Sequence, residues 1–159
     1  PSRVLDAGTG SGAVALALAD ELPAAEVCAT DTSAGALALA RLNAERLGLA
    51  ERIRFLAGTV PDEPFDLTVA NLPYVSEGEW LGLEPEIRDW EPREALLAGR
   101  DGLAAFREVI PLLRSPAAAL EVGAGQAEAV AGMMRAAGYE RIETRRDLAG
   151  IERVVVGRR

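Results

Sequence analysis

The 159 residues contain no histidine. Its absence excludes Ser-His-Asp triads, imidazole acid/base catalysis and His-ligated zinc within this chain. A single cysteine, Cys28, allows neither an internal disulfide nor a thiolate cluster; it reads as a small apolar residue in a strand, and its solitude fits a reducing cytoplasm. Aromatic side chains make up only 4% of the chain although 49% of it is hydrophobic, so the core has to be assembled mainly from Ala, Leu and Val. Basic residues are the minority, 17 against 25 acidic, and the net charge of −8 leaves no broad cationic footprint for phosphate backbones. Non-specific nucleic-acid binding is therefore not expected, although a local basic patch stays open; direct sequence-specific binding is not expected either. No charged-then-apolar leader is visible, and the longest Ala-Leu run, Ala13 to Ala19, is far too short to span a bilayer, so the chain reads as soluble with no membrane partner. No metal-ligand cluster is apparent, and no metal is expected.

What is present alternates. Short apolar runs read as strands at "RVLDA", "EVCAT", "RIRFLA", "FDLTVAN" and "AALEVG". Helical patterns fall between them at Ala13 to Leu22, Ser33 to Leu49 and Gly102 to Leu113, and Gln126 to Ala137 follows the fifth strand and ends at Gly138. The first helix is apolar nearly all round and is expected to be buried; in the second, Leu39, Leu42 and Leu49 form the expected buried stripe. "ERIETRRDL" and "ERVVVGRR" close the chain as an antiparallel hairpin. This order implies a mostly parallel α/β sheet with helices on both faces, one domain by length. A core strand starting two residues from Pro1, with no initiator Met, reads as the later part of a longer protein. Pro73 to Arg100 lacks clear periodicity, which in so long a segment is more often functional than idle.

Ligands of open parallel sheets bind beyond the carboxyl ends of the strands. "DAGTGSGA" places Gly8, Gly10 and Gly12 there, between the first strand and the first helix, where backbone can turn tightly and helix N–H groups attract negative charge. Asp31 ends the second strand, where a carboxylate can accept from ribose hydroxyls. Together these residues describe a nucleoside-type cofactor site. A plain strand-to-helix turn, with Asp31 capping the helix within "DTS", is the structural alternative. Gly8, Gly10 and Ala13 also satisfy the dinucleotide G-x-G-x-x-A pattern, which keeps a nicotinamide-dinucleotide-binding Rossmann domain open.

"NLPY" follows the fourth strand. Asn71 offers an acceptor oxygen and the Leu72 carbonyl another, aimed by Pro73, which pushes Leu72 into an extended conformation; Tyr74 adds a flat face and a polar tip. Two acceptors and an aromatic plate suit a planar –NH2 group. Its delocalised lone pair makes it a poor nucleophile, and holding both hydrogens concentrates charge on nitrogen as it attacks an electrophile such as a sulfonium methyl.

"DAGTGSG", "NLPY", "EPREALLAGRDGL", "LEVGAGQAEAV" and "DLAGIERVVV", in this order and spanning the whole chain, resemble the C-terminal catalytic domain of the peptide chain release factor glutamine N5-methyltransferases. The resemblance implies a Rossmann-like, class I S-adenosylmethionine-dependent methyltransferase with a seven-stranded sheet whose last strand is antiparallel. It implies one catalytic domain over residues 1–159, with the family's helical N-terminal substrate-binding domain absent from this chain. It further implies a cytoplasmic monomer whose cofactor is S-adenosyl-L-methionine and whose partners are peptide chain release factors, methylated on the glutamine of a Gly-Gly-Gln loop. By position, cofactor contacts are implied for Asp6, Gly8, Thr9, Gly10, Ser11 and Gly12 at the methionine end, Asp31 at the ribose, Thr59 and Val60 near the adenine, and Asn71. Catalytic roles are implied for Asn71, Leu72, Pro73 and Tyr74.

Three positions depart from the family pattern. Leu72 stands for the first proline of Asn-Pro-Pro-Tyr, Thr59 for a usual acid, and Ala98 interrupts a usual Gly-Gly pair. Glu91 and Arg93 read as braces of the Asn71 loop, Pro92 and Gly99 as the limits of a short helix, and Trp80 and Trp90 as packing beneath the loop. An N6-adenine DNA or RNA methyltransferase shares the Asn-x-Pro-Tyr corner but would need a flipped base and cationic grooves. A cofactor-binding module without turnover is the non-enzymatic alternative.

Overall fold

A computed structural model describes residues 2–85 and 92–159. The first part of the chain runs β1 (Arg3–Ala7), α1 (Ala13–Glu21), β2 (Glu26–Asp31), α2 (Ala34–Arg46), β3 (Ile53–Ala57) and β4 (Leu67–Ala70). Two four-residue helices, α3 (Glu77–Trp80) and α4 (Arg93–Leu96), precede α5 (Ala104–Val109), β5 (Ala117–Glu121), α6 (Ala127–Ala136), β6 (Arg141–Arg146) and β7 (Glu152–Arg158). Among the described residues, seven strands form one sheet in the order β3-β2-β1-β4-β5-β7-β6. Every strand expected from the apolar runs is present. The helix expected over Gly102 to Leu113 is α5 followed by a 3-10 turn at Ile110–Leu112, because Pro111 has no N–H with which to continue an α-helical ladder.

The chain divides into two compact units, Pro1–Asn71 with Leu113–Ala119, and Leu72–Leu112 with Leu120–Arg159. In the first, β1 pairs in parallel with both β2 and β4, and β2 with β3. Its core joins Ala15, Leu16 and Ala19 of α1 to Val27 and Ala29 of β2, Ala44 of α2 and Ile53 of β3. The expectation of a wholly buried α1 is corrected: only Ala15, Leu16 and Ala19 are buried, while Val14 lies on the open side. A helix lying on a sheet has one face to bury, and alanines on the other expose little apolar area. The stripe expected on α2 is also corrected. Leu39 and Leu42 are 45% and 42% exposed, and the buried residues are Leu37, Ala40 and Ala44. Close approach decides this: a Cβ at Gly12 would stand 3.1 Å from the Cβ of Ala40, so α2 meets the glycine loop through a small residue that a leucine could not replace.

In the second unit β6 and β7 pair antiparallel, as the closing hairpin demands. Asp147 organises its turn: Oδ1 accepts from the N–H groups of Ala149 (2.9 Å) and Ile151 (3.0 Å), and Oδ2 accepts from Nε of Arg153 at 3.1 Å. These bonds, that from Ile151 foremost, hold the carboxyl below its ordinary range. Gly138 follows α6 as expected, and the Tyr139 N–H closes back on the Met134 carbonyl at 3.0 Å. On β7, Gly157 is closely packed: a Cβ there would lie 2.6 Å from Cε of Met134 and 3.1 Å from both Cδ1 of Ile142 and Cβ of Tyr139, so a larger side chain has to displace all three. Gly157→Val is expected to destabilise the protein by about 1–3 kcal/mol through overpacking, read as a lower denaturant midpoint at unchanged slope.

Candidate functional site

The parallel register of the first unit aligns the carboxyl ends of four strands. Ala7 is the Cα partner of both Thr30 and Ala70, and Thr30 of Leu56. One residue further along each strand stand Gly8, Asp31, Asn71 and Ala57, so the three residue types singled out in the sequence occupy neighbouring positions on one edge. Asn71 is exposed there.

The loop after β1 is fixed by backbone and by two carboxylates. The N–H groups of Gly8 and Thr9 both donate to the Thr30 carbonyl, at 2.9 and 2.8 Å. Gly8, Gly10 and Gly12 have φ of 73°, 57° and 88°, a region that glycine enters without steric cost. A Cβ at Gly10 would meet nothing within 4 Å, so this backbone faces open space. Beneath the loop, Asp6 is 1% exposed, and its Oδ2 accepts from the Thr9 hydroxyl at 2.6 Å and the Ala15 N–H at 3.0 Å. Burial pushes this carboxyl above its ordinary value, against the pull of those two bonds, and the nearby Asp31 adds to the rise. On the other side, Asp31 Oδ2 accepts from the Gly10 N–H at 2.9 Å while Oδ1 accepts from the Ser33 N–H at 2.8 Å. The helix cap within "DTS" is Ser33, whose hydroxyl accepts from the Ala36 N–H at 3.2 Å.

Asp6 and Thr9 therefore sit under the loop, and Gly8, Gly10 and Asp31 at its rim. The Ser11 carbonyl accepts from Nδ2 of Asn43 at 2.9 Å. Sequence reading passed over Asn43; a poor helix former in the middle of α2 was the available signal. The Thr59 carbonyl accepts from the Thr30 hydroxyl at 2.5 Å and the Gly58 N–H donates to the Asp31 carbonyl at 3.0 Å, tying this segment to the end of β2. Thr59 and Val60 are half-buried.

Leu72, Pro73 and Tyr74 belong to the second unit. Leu72 is 6% exposed; Pro73 and Tyr74 are half-buried. Burial raises the Tyr74 phenol, and the Glu121 carboxylate beside it adds to the rise. A backbone strap holds the next three residues: the Val75 N–H donates to the Leu96 carbonyl and the Ala98 N–H to the Val75 carbonyl, both at 2.8 Å, and the Glu77 N–H donates to the Gly99 carbonyl at 3.0 Å. Residues 96–99 thus hold this loop through main chain, α4 ending at Leu96, short of Gly99. Ser76 and Glu79 form a capping box that starts α3. Trp80 is half-buried with the Arg93 guanidinium 5.6 Å from its ring centroid, so Arg93 braces α3. Trp90 and Glu91 lie outside the described residues.

Among the described residues, no group of three or more His, Cys, Asp or Glu could hold a metal ion, and no helix is long and apolar enough to cross a membrane. Residues 4–90 match the family described as methyltransferase domain. The chain is 46% identical over 165 residues to a release factor glutamine methyltransferase of Gloeobacter violaceus, covering 98% of this chain and 58% of that relative. It therefore spans less than two thirds of that relative's length. Among solved structures, the hMettl16 catalytic domain in complex with a MAT2A 3′UTR hairpin superposes with a TM-score of 0.75 at 15% identity, covering 99% of this chain and 63% of that one. A complex from E. cuniculi responsible for the methylation of the eRF1 translation termination factor superposes with a TM-score of 0.64 at 20% identity, covering 99% and 85%. At such identities the likeness is one of fold, the Rossmann-like fold of class I methyltransferases.

The two bonds to Asp31 have a direct readout. In Asp31→Ala the Gly10 and Ser33 amides lose their acceptor, and their hydrogen exchange is expected to accelerate at least about tenfold while Gly8, bonded to a backbone carbonyl, keeps its protection.

Proposed function

Because the chain belongs to the methyltransferase-domain family, we propose that it transfers a methyl group from S-adenosyl-L-methionine to the side-chain amide nitrogen of the glutamine in the Gly-Gly-Gln loop of a peptide chain release factor. Residues 1–159 are the catalytic part of such an enzyme, acting in the cytoplasm. The observation that carries the reading is the register that sets Asn71 beside Gly8 and Asp31 on one edge of the first unit. The choice of substrate is supported by the 46% identity to a relative of that name.

The loop fits such a cofactor, since Gly10 turns bare backbone toward open space and the positive φ angles there favour glycine. Gly8, Gly10, Ser11 and Gly12 would wrap the methionine end, Asp31 would accept from the ribose, and Thr59 and Val60 would border the adenine. Asp6 and Thr9 act one layer down by holding the loop in shape. When bound, S-adenosylmethionine supplies an electrophilic sulfonium methyl.

The remaining chemistry is that of the chain itself. A glutamine amide nitrogen is weakly nucleophilic because its lone pair is delocalised into the carbonyl. The Asn71 amide oxygen and the Leu72 carbonyl would each accept one of its hydrogens, orienting the nitrogen and stabilising the positive charge that grows on it; as the N–CH3 bond forms the methyl's bond to sulfur breaks, leaving a neutral thioether, and one of the two amide protons is lost to water. With Leu72 in place of a proline, the carbonyl is kept, and Pro73 still holds Leu72 extended. The Tyr74 ring lies against the substrate amide. Nothing in this scheme requires an imidazole.

The test uses the full-length protein with methyl-labelled cofactor and, separately, a release factor and duplex DNA. Label is expected in the release factor; label in DNA alone would overturn the substrate. Asn71→Ala should lower kcat by at least about 100-fold while the cofactor Kd stays within a few-fold, as calorimetry would record. Unchanged turnover in that variant refutes the role given to Asn71.

A further inference from the structure

One side-chain amide gathers three separate segments of the second unit. Gln126 Oε1 accepts from the Gly123 N–H at 2.9 Å, and Nε2 donates to the Tyr74 carbonyl at 2.9 Å and to the Gly102 carbonyl at 3.4 Å. Gln126 occupies the N-cap of α6 yet makes no capping bond to the helix; its side chain reaches away, to the loop after β4. The two glycines it touches leave room for it. A Cβ at Gly102 would stand 2.3 Å from the Tyr74 carbonyl oxygen and 2.5 Å from Nε2 of Gln126, and one at Gly123 would stand 2.9 Å from Oε1 and 3.0 Å from Cδ2 of Tyr74. The first three are distances that real Cβ atoms essentially never show and the fourth is tighter than most, so all three residues belong to one arrangement.

We propose that Gln126 is a positioning residue for methyl transfer, fixing the peptide that aims the Leu72 carbonyl. The assignment rests on the methyl transfer to a release factor glutamine proposed for this chain. Between the Leu72 and Tyr74 carbonyls the φ of Pro73 is locked, leaving only Pro73 ψ and the two torsions of Tyr74 soft. Gln126 pins the Tyr74 carbonyl, and the next residue is pinned on both sides, its N–H to Leu96 and its carbonyl to Ala98. The freedom of the Leu72 carbonyl is thereby confined from the downstream side. Only an uncharged primary amide supplies one acceptor and two donors at this spot. A carboxylate of the same length would keep the bond from Gly123 and turn a negative oxygen on two carbonyls. The blocks "DGL", "LEVGAGQ" and "NLPY" are linked by this one side chain.

Two variants of the full-length protein separate positioning from support. Gln126→Met keeps the length and removes every hydrogen bond; Gln126→Glu keeps only the acceptor for Gly123. Both are expected to lower kcat for the release factor about 10- to 100-fold, with the cofactor Kd within about twofold and Tm within a few degrees of the wild type, because a displacement of about 1 Å at a reacting group is enough for such a loss. Amide exchange at Gly123 should accelerate in Gln126→Met and stay protected in Gln126→Glu. Full activity in both variants overturns the assignment, as does a fall of kcat that merely tracks parallel losses in Tm and cofactor affinity. If the wild type itself does not methylate the release factor, the proposed reaction fails instead, and the exchange arm still decides the clamp: a Gly123 amide unprotected in the wild type overturns it.

Discussion

The Asp6 carboxylate is the constraint from which the first unit is organised. Taking a carboxylate out of water costs several kcal/mol unless it is well bonded, and burial here raises its affinity for a proton. The group is nonetheless held between β1, the glycine loop and the first turn of α1, because one oxygen serves the Thr9 hydroxyl and the Ala15 N–H together. Removing it would leave two buried donors without partners, each costing about 1–3 kcal/mol. An apolar residue could fill the space but could not set the loop's shape.

Register carries that loop's geometry to the neighbouring strands. Parallel pairing sets successive strands so that one position past Ala7, Thr30 and Ala70 brings Gly8, Asp31 and Asn71 to the same edge. Asp31 then acts twice, once on Gly10 and once on Ser33, so one carboxylate fixes both the glycine turn and the start of α2. Ala40 meets Gly12, and Asn43 holds Ser11, both from α2. Small residues are selected here by the closeness of two backbones, not by apolar area.

In the second unit the same economy recurs with main chain. Residues 96–99 bond to 75–77 much as a short strand would, and Gln126 closes the far side. The sequence blocks that resemble the release factor methyltransferases beyond the glycine run, "EPREALLAGRDGL", "LEVGAGQAEAV" and "DLAGIERVVV", contribute mostly backbone bonds, glycine space and the Asp147 turn.

The succession of strands along the chain, the antiparallel closing hairpin and the placing of the glycine run, Asp31 and Asn71 at strand ends were legible in the sequence. Alternation of apolar runs with helical patterns, and glycines at a strand-to-helix junction, are local consequences of pleat, helical period and φ. Which face of α2 is buried was not, because leucines at 37, 39, 42 and 49 offer more than one apolar stripe and only the approach of Gly12 chooses among them. Nor were the roles of Asp6, Asn43 and Gln126. Asp6 turns back on its own loop, where a short polar side chain reads equally well as a strand end; the partners of Asn43 and Gln126 lie in other segments, 32 and 52 positions away, and such a partner is decided by which segments folding brings together, a property no single stretch of chain contains.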